Sequence, residues 1–159
     1  MLTNRLTWRN GCKNMNKLMF WMQGQPIGKG RPRFTRTGRA YTPAKTKKYE
    51  HALAARASDE MVSMGIDPIS APCKVYILAQ FEIPKSWSKR RKEAATLGVV
   101  KPGMPDIDNI AKIVLDAING VCFDDDKQVY ELRATKRYGD PLVLVQIEWE
   151  QHETSNRQE

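Results

Sequence analysis

Two short runs of aspartate hold the residues best suited to chemistry. Asp106 and Asp108 flank Ile107, Lys112 follows one helical turn later, and Asp124, Asp125 and Asp126 come after an apolar stretch. Pro105 biases the chain entering Asp106 toward extended geometry. In an extended Asp106-Ile107-Asp108 both carboxylates point to one side. Asp108 is expected as the N-cap of the helix that follows, where the positive helix end lowers the cost of crowding negative charge. Lys112 lies about 200° from the apolar stripe as judged from Ile110, on the solvent side with Asp108. Asp124-Asp125-Asp126 is expected to begin the next strand, and if that strand packs beside the helix a third carboxylate returns to the same corner. Three aspartates there repel one another unless a hard cation sits between them. Mg²⁺ suits a few carboxylates, several waters and phosphate oxygens, and Mn²⁺ is expected to substitute. Such a site would activate water and neutralise charge on a phosphodiester, with Lys112 stabilising the same charge. The bland alternative stays open: Asp-x-Asp at a helix start is common as capping alone, and Asp-Asp-Asp is often a solvated turn. Asp116, four residues after Lys112, fits an ordinary helix-surface pair and is left out of the catalytic set.

The remaining charge fits a phosphodiester substrate. Lys plus Arg is 26 against 18 Asp plus Glu, a formal net charge of +8 over 159 residues. From Gly28 to Lys48 eight residues are basic (Lys29, Arg31, Arg33, Arg36, Arg39, Lys45, Lys47, Lys48) and none is acidic. From Lys85 to Lys101 six more, including Lys89, Arg90 and Arg91, face a lone Glu93. Solvated surfaces usually intersperse the two signs, so a basic surface around a compact acidic cluster points to a polyanion and a metal. Lys29, Arg31, Arg33, Arg36, Arg39, Lys45, Lys89, Arg90 and Arg91 are the candidate DNA contacts. Phe34, Tyr41 and Trp87 lie within these stretches, where base stacking and core packing compete as roles.

The elements that must position these groups follow from periodicity. A polar lead-in spans 1–16, and Met15 is a candidate start. Lys17 to Gln23 reads as a strand, followed by a Gly/Pro/Arg-rich loop over 25–40. Thr42 is expected as N-cap and Pro43 as first residue of a helix running to about Met64. Cys73 to Ile83 alternates as a half-buried strand. Ser88 to Leu97 reads as a short basic helix. Ile110, Ile113, Val114, Ala117 and Ile118 complete an amphipathic helix template that Asn119-Gly120 closes. Val129 to Arg137 and Leu142 to Trp149 are expected as strands joined in a hairpin around Gly139-Asp140-Pro141, before a polar tail over 151–159. The order β-α-β-α-α-β-β gives one small α+β domain over 17–150, a mixed β-sheet with helices packed on it.

Length and composition exclude several classes. No run of about 18 apolar residues could span a membrane, and no apolar h-region marks a secretory signal. Three cysteines, Cys12, Cys73 and Cys122, are too few and scattered for a disulfide framework or zinc site, so a cytoplasmic location is expected. Two histidines leave little for His-based catalysis. No RNA-recognition signature is present.

At the aspartate blocks the sequence resembles the RusA family of Holliday-junction resolvases. The resemblance is carried by Pro105-Asp-Ile-Asp-Asn-Ile-Ala-Lys112, Leu115-Asp-Ala-Ile-Asn-Gly120, Asp125-Asp-Lys-Gln-Val129 and Lys136, with Gly28-Lys-Gly-Arg-Pro-Arg33 and Tyr41-Thr-Pro43. It covers roughly Lys17 to Trp149. It implies a homodimeric, Mg²⁺-dependent endonuclease of DNA recombination and repair, found in bacteria and their phages. Such an enzyme nicks four-way junctions symmetrically and leaves 5′-phosphates. By motif, Asp106, Asp108 and Asp126 would be the catalytic metal-binding carboxylates, with Asp125 close by and Lys112 the catalytic lysine. A nuclease for flaps or other branched DNA, and a DNA-binding protein without catalysis, remain alternatives on the residues alone.

Overall fold

The computed structural model describes residues 15–150; the lead-in up to 14, the tail from 151 and Cys12 lie outside the described residues. The chain forms β1 (Met15–Gln23), a small hairpin of β2 (Arg33–Phe34) and β3 (Ala40–Tyr41), and α1 (Ala44–Met64). Then come β4 (Cys73–Phe81), α2 (Lys89–Thr96), α3 (Ile107–Ile118), a 3-10 turn over Asp126–Gln128, β5 (Val129–Tyr138) and β6 (Leu142–Glu150). The α+β class and mixed sheet stand as read from the sequence. Met15 and Asn16 belong to β1 rather than to a lead-in.

The four long strands pair in the order β1-β6-β4-β5, with β4 and β5 parallel and the other neighbours antiparallel. The hairpin expected between β5 and β6 therefore does not form. Parallel strands need a crossover, and α2 and α3 supply it between β4 and β5. After β5 the chain steps across the end of β4 to pair with its far edge. Gly139 N–H donates to Phe81 O at 3.0 Å, and the Gln80 amide donates to Asp140 O at 3.0 Å while accepting from Arg137. Gln80, 9% exposed, is a buried polar residue of β4 whose side chain is satisfied by making this turn.

One face of the sheet carries the core. Leu18 and Phe20, Val75, Ile77 and Ala79, and Val143, Val145 and Ile147 meet Leu53, Ala57 and Met61 of α1. Ile110, Ile113, Val114, Ala117 and Ile118 of α3 complete it. The stripe that marked α3 is thus its buried face, and the opposite side is left to polar groups. The α1 boundary differs from expectation: Pro43 is the N-cap, Thr42 lies one residue outside, and Lys47 N–H bonds the Pro43 carbonyl. A proline there costs no hydrogen bond because a helix start lacks an N–H partner anyway. Within the loop expected over 25–40, Gly38 at φ +81° closes the β2–β3 turn, a conformation other residues rarely adopt.

A methyl group at Gly139 would meet Gln80 Nε2 at 2.7 Å. Gly139→Ala is expected to displace the Gln80 amide from Asp140 and Arg137 and to destabilise by about 1–3 kcal/mol. A fall in the denaturant midpoint, with the slope unchanged, is the measurement that checks it.

Candidate active site and nucleic-acid interface

Helix α3 sets out the first two carboxylates. Asp106 is its N-cap in extended conformation, its carbonyl accepting from Ile110 N–H at 3.2 Å, and Asp108 lies in the first turn. The capping role expected of Asp108 thus belongs to Asp106, because the chain is already helical from Ile107. The pair shares the helix mouth rather than one side of a strand. Neither makes a side-chain cap bond, and both are exposed. Among the described residues no hydrogen bond or ion pair engages either carboxylate. The positive end of α3 offsets part of their repulsion. Lys112, one turn beyond Asp108 on the exposed side, also lacks a partner among the described residues.

The helix mouth is held from two directions. Lys136 on β5 donates its Nζ to Gly103 O at 2.6 Å and Pro105 O at 2.9 Å, fixing the approach to Asp106. Its register partner is Ala79, in the core row, and a lysine in such a row is the signal that marks it as a positioning residue. From the other side, Gly28 packs where a methyl group would meet Pro105 Cβ at 2.8 Å and Asn109 Cβ at 3.1 Å. Lys29 N–H donates to Asn109 O at 2.8 Å.

The Lys29 side chain is an internal clamp, not a free phosphate contact. Its ammonium pairs with Asp116 on α3 at 2.6 Å and with Glu50 on α1, and only 19% of it is exposed. Burial works to lower its pKa, but the hydrogen bonds and charges of Asp116 and Glu50 outweigh this and hold it above its ordinary value. Asp116 therefore pairs across elements and leaves Lys112 unengaged. The other expected DNA contacts divide. Arg31, Arg33, Arg36, Arg39 and Lys45, and Lys89 and Arg90 on α2, are exposed. Arg91 stacks on the Trp87 ring, 3.8 Å from its centroid, and Trp87 meets Tyr138 edge-on, so that ring is engaged internally. Tyr41 is exposed rather than packed in the core.

The second aspartate run stands elsewhere. Asp125 caps the 3-10 turn in a reciprocal arrangement with Gln128, whose amide also donates to Ile69 O and Ala71 O. The Lys127 backbone N–H, with the Lys127 side chain 3.2 Å away, holds the Asp125 carboxyl below its usual range. Asp126 begins that turn, not the strand that was expected there. Phe123 bridges to Asn119 at the C-terminal end of α3 and to Ile69, whereas Lys136 ties β5 to the N-terminal end. Twelve helical residues span about 18 Å, and the seven steps from Val129 to Lys136 about 23 Å. Asp125 and Asp126 thus sit at the opposite end of α3 from Asp106 and Asp108. The single corner expected for all the aspartates does not form within one chain. Among the described residues no three His, Cys, Asp or Glu side chains converge as a metal site.

The donor set at the helix mouth nonetheless fits a hard divalent cation. Two unengaged carboxylates, open water positions and a phosphate oxygen are how Mg²⁺ is usually held. The two buried cysteines are poorly suited to nucleophilic chemistry. Burial pushes the Cys122 thiol up to about 12 and the Cys73 thiol up to about 11, far from a nucleophilic thiolate.

Comparison with known proteins identifies the family. A family model described as Endodeoxyribonuclease RusA matches residues 23–148. The uncharacterized protein YqaN of Bacillus subtilis (strain 168) is 38% identical over 143 residues, which cover 84% of this chain and 96% of YqaN. No described helix is long and apolar enough to cross a membrane.

The clamp makes its own prediction. Because Lys29 is held above its ordinary value of 10.5, its contribution to stability is present below that pH and lost as pH rises through the folded value. Lys29→Met should unfold at lower temperature at neutral pH, and the gap from wild type should narrow as pH rises beyond the ordinary lysine value of 10.5 and through the raised folded value. Thermal melts across that range measure both.

Proposed function

The chain belongs to the RusA endodeoxyribonuclease family, and on that premise we propose that it is a Mg²⁺-dependent, homodimeric resolvase of four-way DNA junctions. It would make paired symmetrical nicks in recombination and repair. The observation that carries the reading is the open pair Asp106 and Asp108, with Lys112 unengaged, rooted beside an arginine-rich hairpin. Asp106 and Asp108 would hold the ion, with Asp126 and Asp125 completing its ligands; Mn²⁺ is expected to substitute. Bound there, the ion would lower the pKa of a coordinated water and neutralise charge on the phosphate.

The chain's own groups have defined tasks. Arg31, Arg33, Arg36 and Arg39 would fork onto backbone phosphates, and Lys45, Lys89 and Arg90 would widen the basic track. Lys112 would place its ammonium against the non-bridging oxygens as negative charge develops. In hydrolysis a water oxygen bonds to phosphorus, the P–O3′ bond breaks, and the departing 3′-oxygen takes a proton. A 5′-phosphate and a 3′-hydroxyl remain.

Separation of the two aspartate runs supports the dimer. A two-fold axis beside the middle of β5, at the sheet edge, would bring the Asp126 end of one copy to the Asp106 end of the other. It would create two equal composite sites, one for each strand to be cut. Exposed apolar groups lie at both ends: Tyr130 and Leu132 close after Asp126 in β5, and Met104 and Ile107 beside Asp106. Each set would cover the other across such an axis.

The test uses a labelled four-way junction and its linear duplex with Mg²⁺ or EDTA. Wild type should nick only the junction and only with Mg²⁺. Asp106→Asn and Asp126→Asn homodimers should be inactive while still binding the junction. Doubly tagged heterodimers of those two variants should regain nicking at about half the wild-type rate, because one of their two sites has both aspartates intact. Junction binding without any metal-dependent cutting would overturn the nuclease reading. Inactive heterodimers beside an active wild type would overturn the composite site.

A further inference from the structure

The β2–β3 hairpin is a rigid arm, not a loose basic loop. Thr35 N–H donates to Arg39 O at 2.8 Å, Gly38 N–H to Thr35 O at 2.9 Å, and Arg39 N–H to the Thr35 hydroxyl at 3.1 Å. The Thr35 and Thr37 hydroxyls are bonded at 3.0 Å. Its register places Phe34 opposite Ala40 and Arg33 opposite Tyr41. Alanine is too small to cover the facing ring, so Phe34 stands 72% exposed next to the turn. The arm is anchored at its base by the Gly28 packing and the Lys29 clamp, beside Asn109 of α3. Five residues from Lys29 to Phe34 reach at most about 17 Å, within one duplex width of the aspartates.

A single exposed phenylalanine needs no explanation on an ordinary surface. This one sits on a preorganised arm, flanked by Arg33, Arg36 and Arg39, and next to the candidate site. Arginines on phosphates would draw the arm onto a strand, and the ring would then lie at the level of the bases. In continuous duplex every base face is already stacked. At a branch point stacking is interrupted, and an aromatic ring can take a base face at little cost. Trp87 cannot serve in the same way because Arg91 and Tyr138 occupy it.

We propose that Phe34 is a specificity-determining wedge: it stacks on a base face left open by the interrupted stacking at the branch point, so that the arm distinguishes branched from continuous DNA. This rests on the nuclease reading above and adds the residue that selects the substrate. No chemical step is assigned to Phe34; it acts on the DNA's geometry and leaves hydrolysis to the aspartates.

The experiment compares wild type, Phe34→Ala and Phe34→Trp on a four-way junction carrying 2-aminopurine at the crossover, and on linear duplex of the same sequence. Binding is followed in EDTA by fluorescence and cutting is followed in Mg²⁺. Wild type and Phe34→Trp should raise the 2-aminopurine signal through unstacking. Phe34→Ala should lose that rise and nick the junction about 10–100-fold more slowly, while duplex affinity stays unchanged because the arginines remain. A Phe34→Ala protein with wild-type fluorescence and nicking would overturn the wedge. So would equal losses of duplex and junction affinity, which would mark a merely structural residue. A wild type that cuts the junction with no fluorescence change would overturn the wedge and leave the nuclease standing. A wild type that neither binds nor cuts branched DNA would overturn the nuclease reading itself, and the wedge with it.

Discussion

The Lys29 ammonium, shared between Glu50 of α1 and Asp116 of α3, is the interaction on which the arrangement of the site depends. It joins the two core helices through a side chain that comes from neither, and it fixes the root of the basic hairpin. Removing either carboxylate would leave this partly buried cation with half its partners, so all three segments are held in one relation. The adjoining close approach of Gly28 to Pro105 and Asn109 then sets the hairpin beside the mouth of α3. Basic arm and acidic helix end are neighbours because one ion triad, with backbone packing beside it, makes them so.

The opposing signs in that neighbourhood have a physical logic. Asp106 and Asp108 would repel a phosphodiester by themselves. The helix end behind them and the surplus of cations around them keep the local field from becoming prohibitively negative. Lys112 is left unengaged because Asp116, the partner its spacing suggested, is taken by Lys29. A surface lysine one turn from two open carboxylates, without a partner among the described residues, suits transient charge better than static stability.

Much of this was legible in the sequence, and the parts that were not share a cause. The α3 stripe, the alternation of β4 and the aspartate spacing are local patterns, and each element stands where its period put it. The pairing of β5 and β6 is not local. Their short Gly-Asp-Pro link suggests a hairpin, yet β4 lies between them, because a strand buried on both edges takes the centre of the sheet. The role of Lys29 was hidden for the same reason: within an all-basic run it reads as a phosphate contact, and only the distant Glu50 and Asp116 make it internal. Capping errors of one or two residues at Thr42 and Asp108 reflect where a helix begins, which propensity fixes poorly.

The placement of Asp126 is the most consequential departure, and it follows from arithmetic as much as from structure. Asp108 and Asp126 are separated by the rest of a helix and a short loop that leads into the next strand. A helix of this length carries its ends about 18 Å apart. The loop after it is folded against the C-terminal end of the helix by the Asn119–Phe123 and Ile69–Phe123 bridges and does not run back along it. No repacking of side chains within one chain closes that distance. The two-fold symmetry proposed above would close it without new structure, since reversing the direction of α3 and β5 in a second copy exchanges their ends. An enzyme built this way would lack a complete metal site as a monomer. Cutting would then be coupled to assembly, and a lone subunit could hold DNA through its arginines without breaking it.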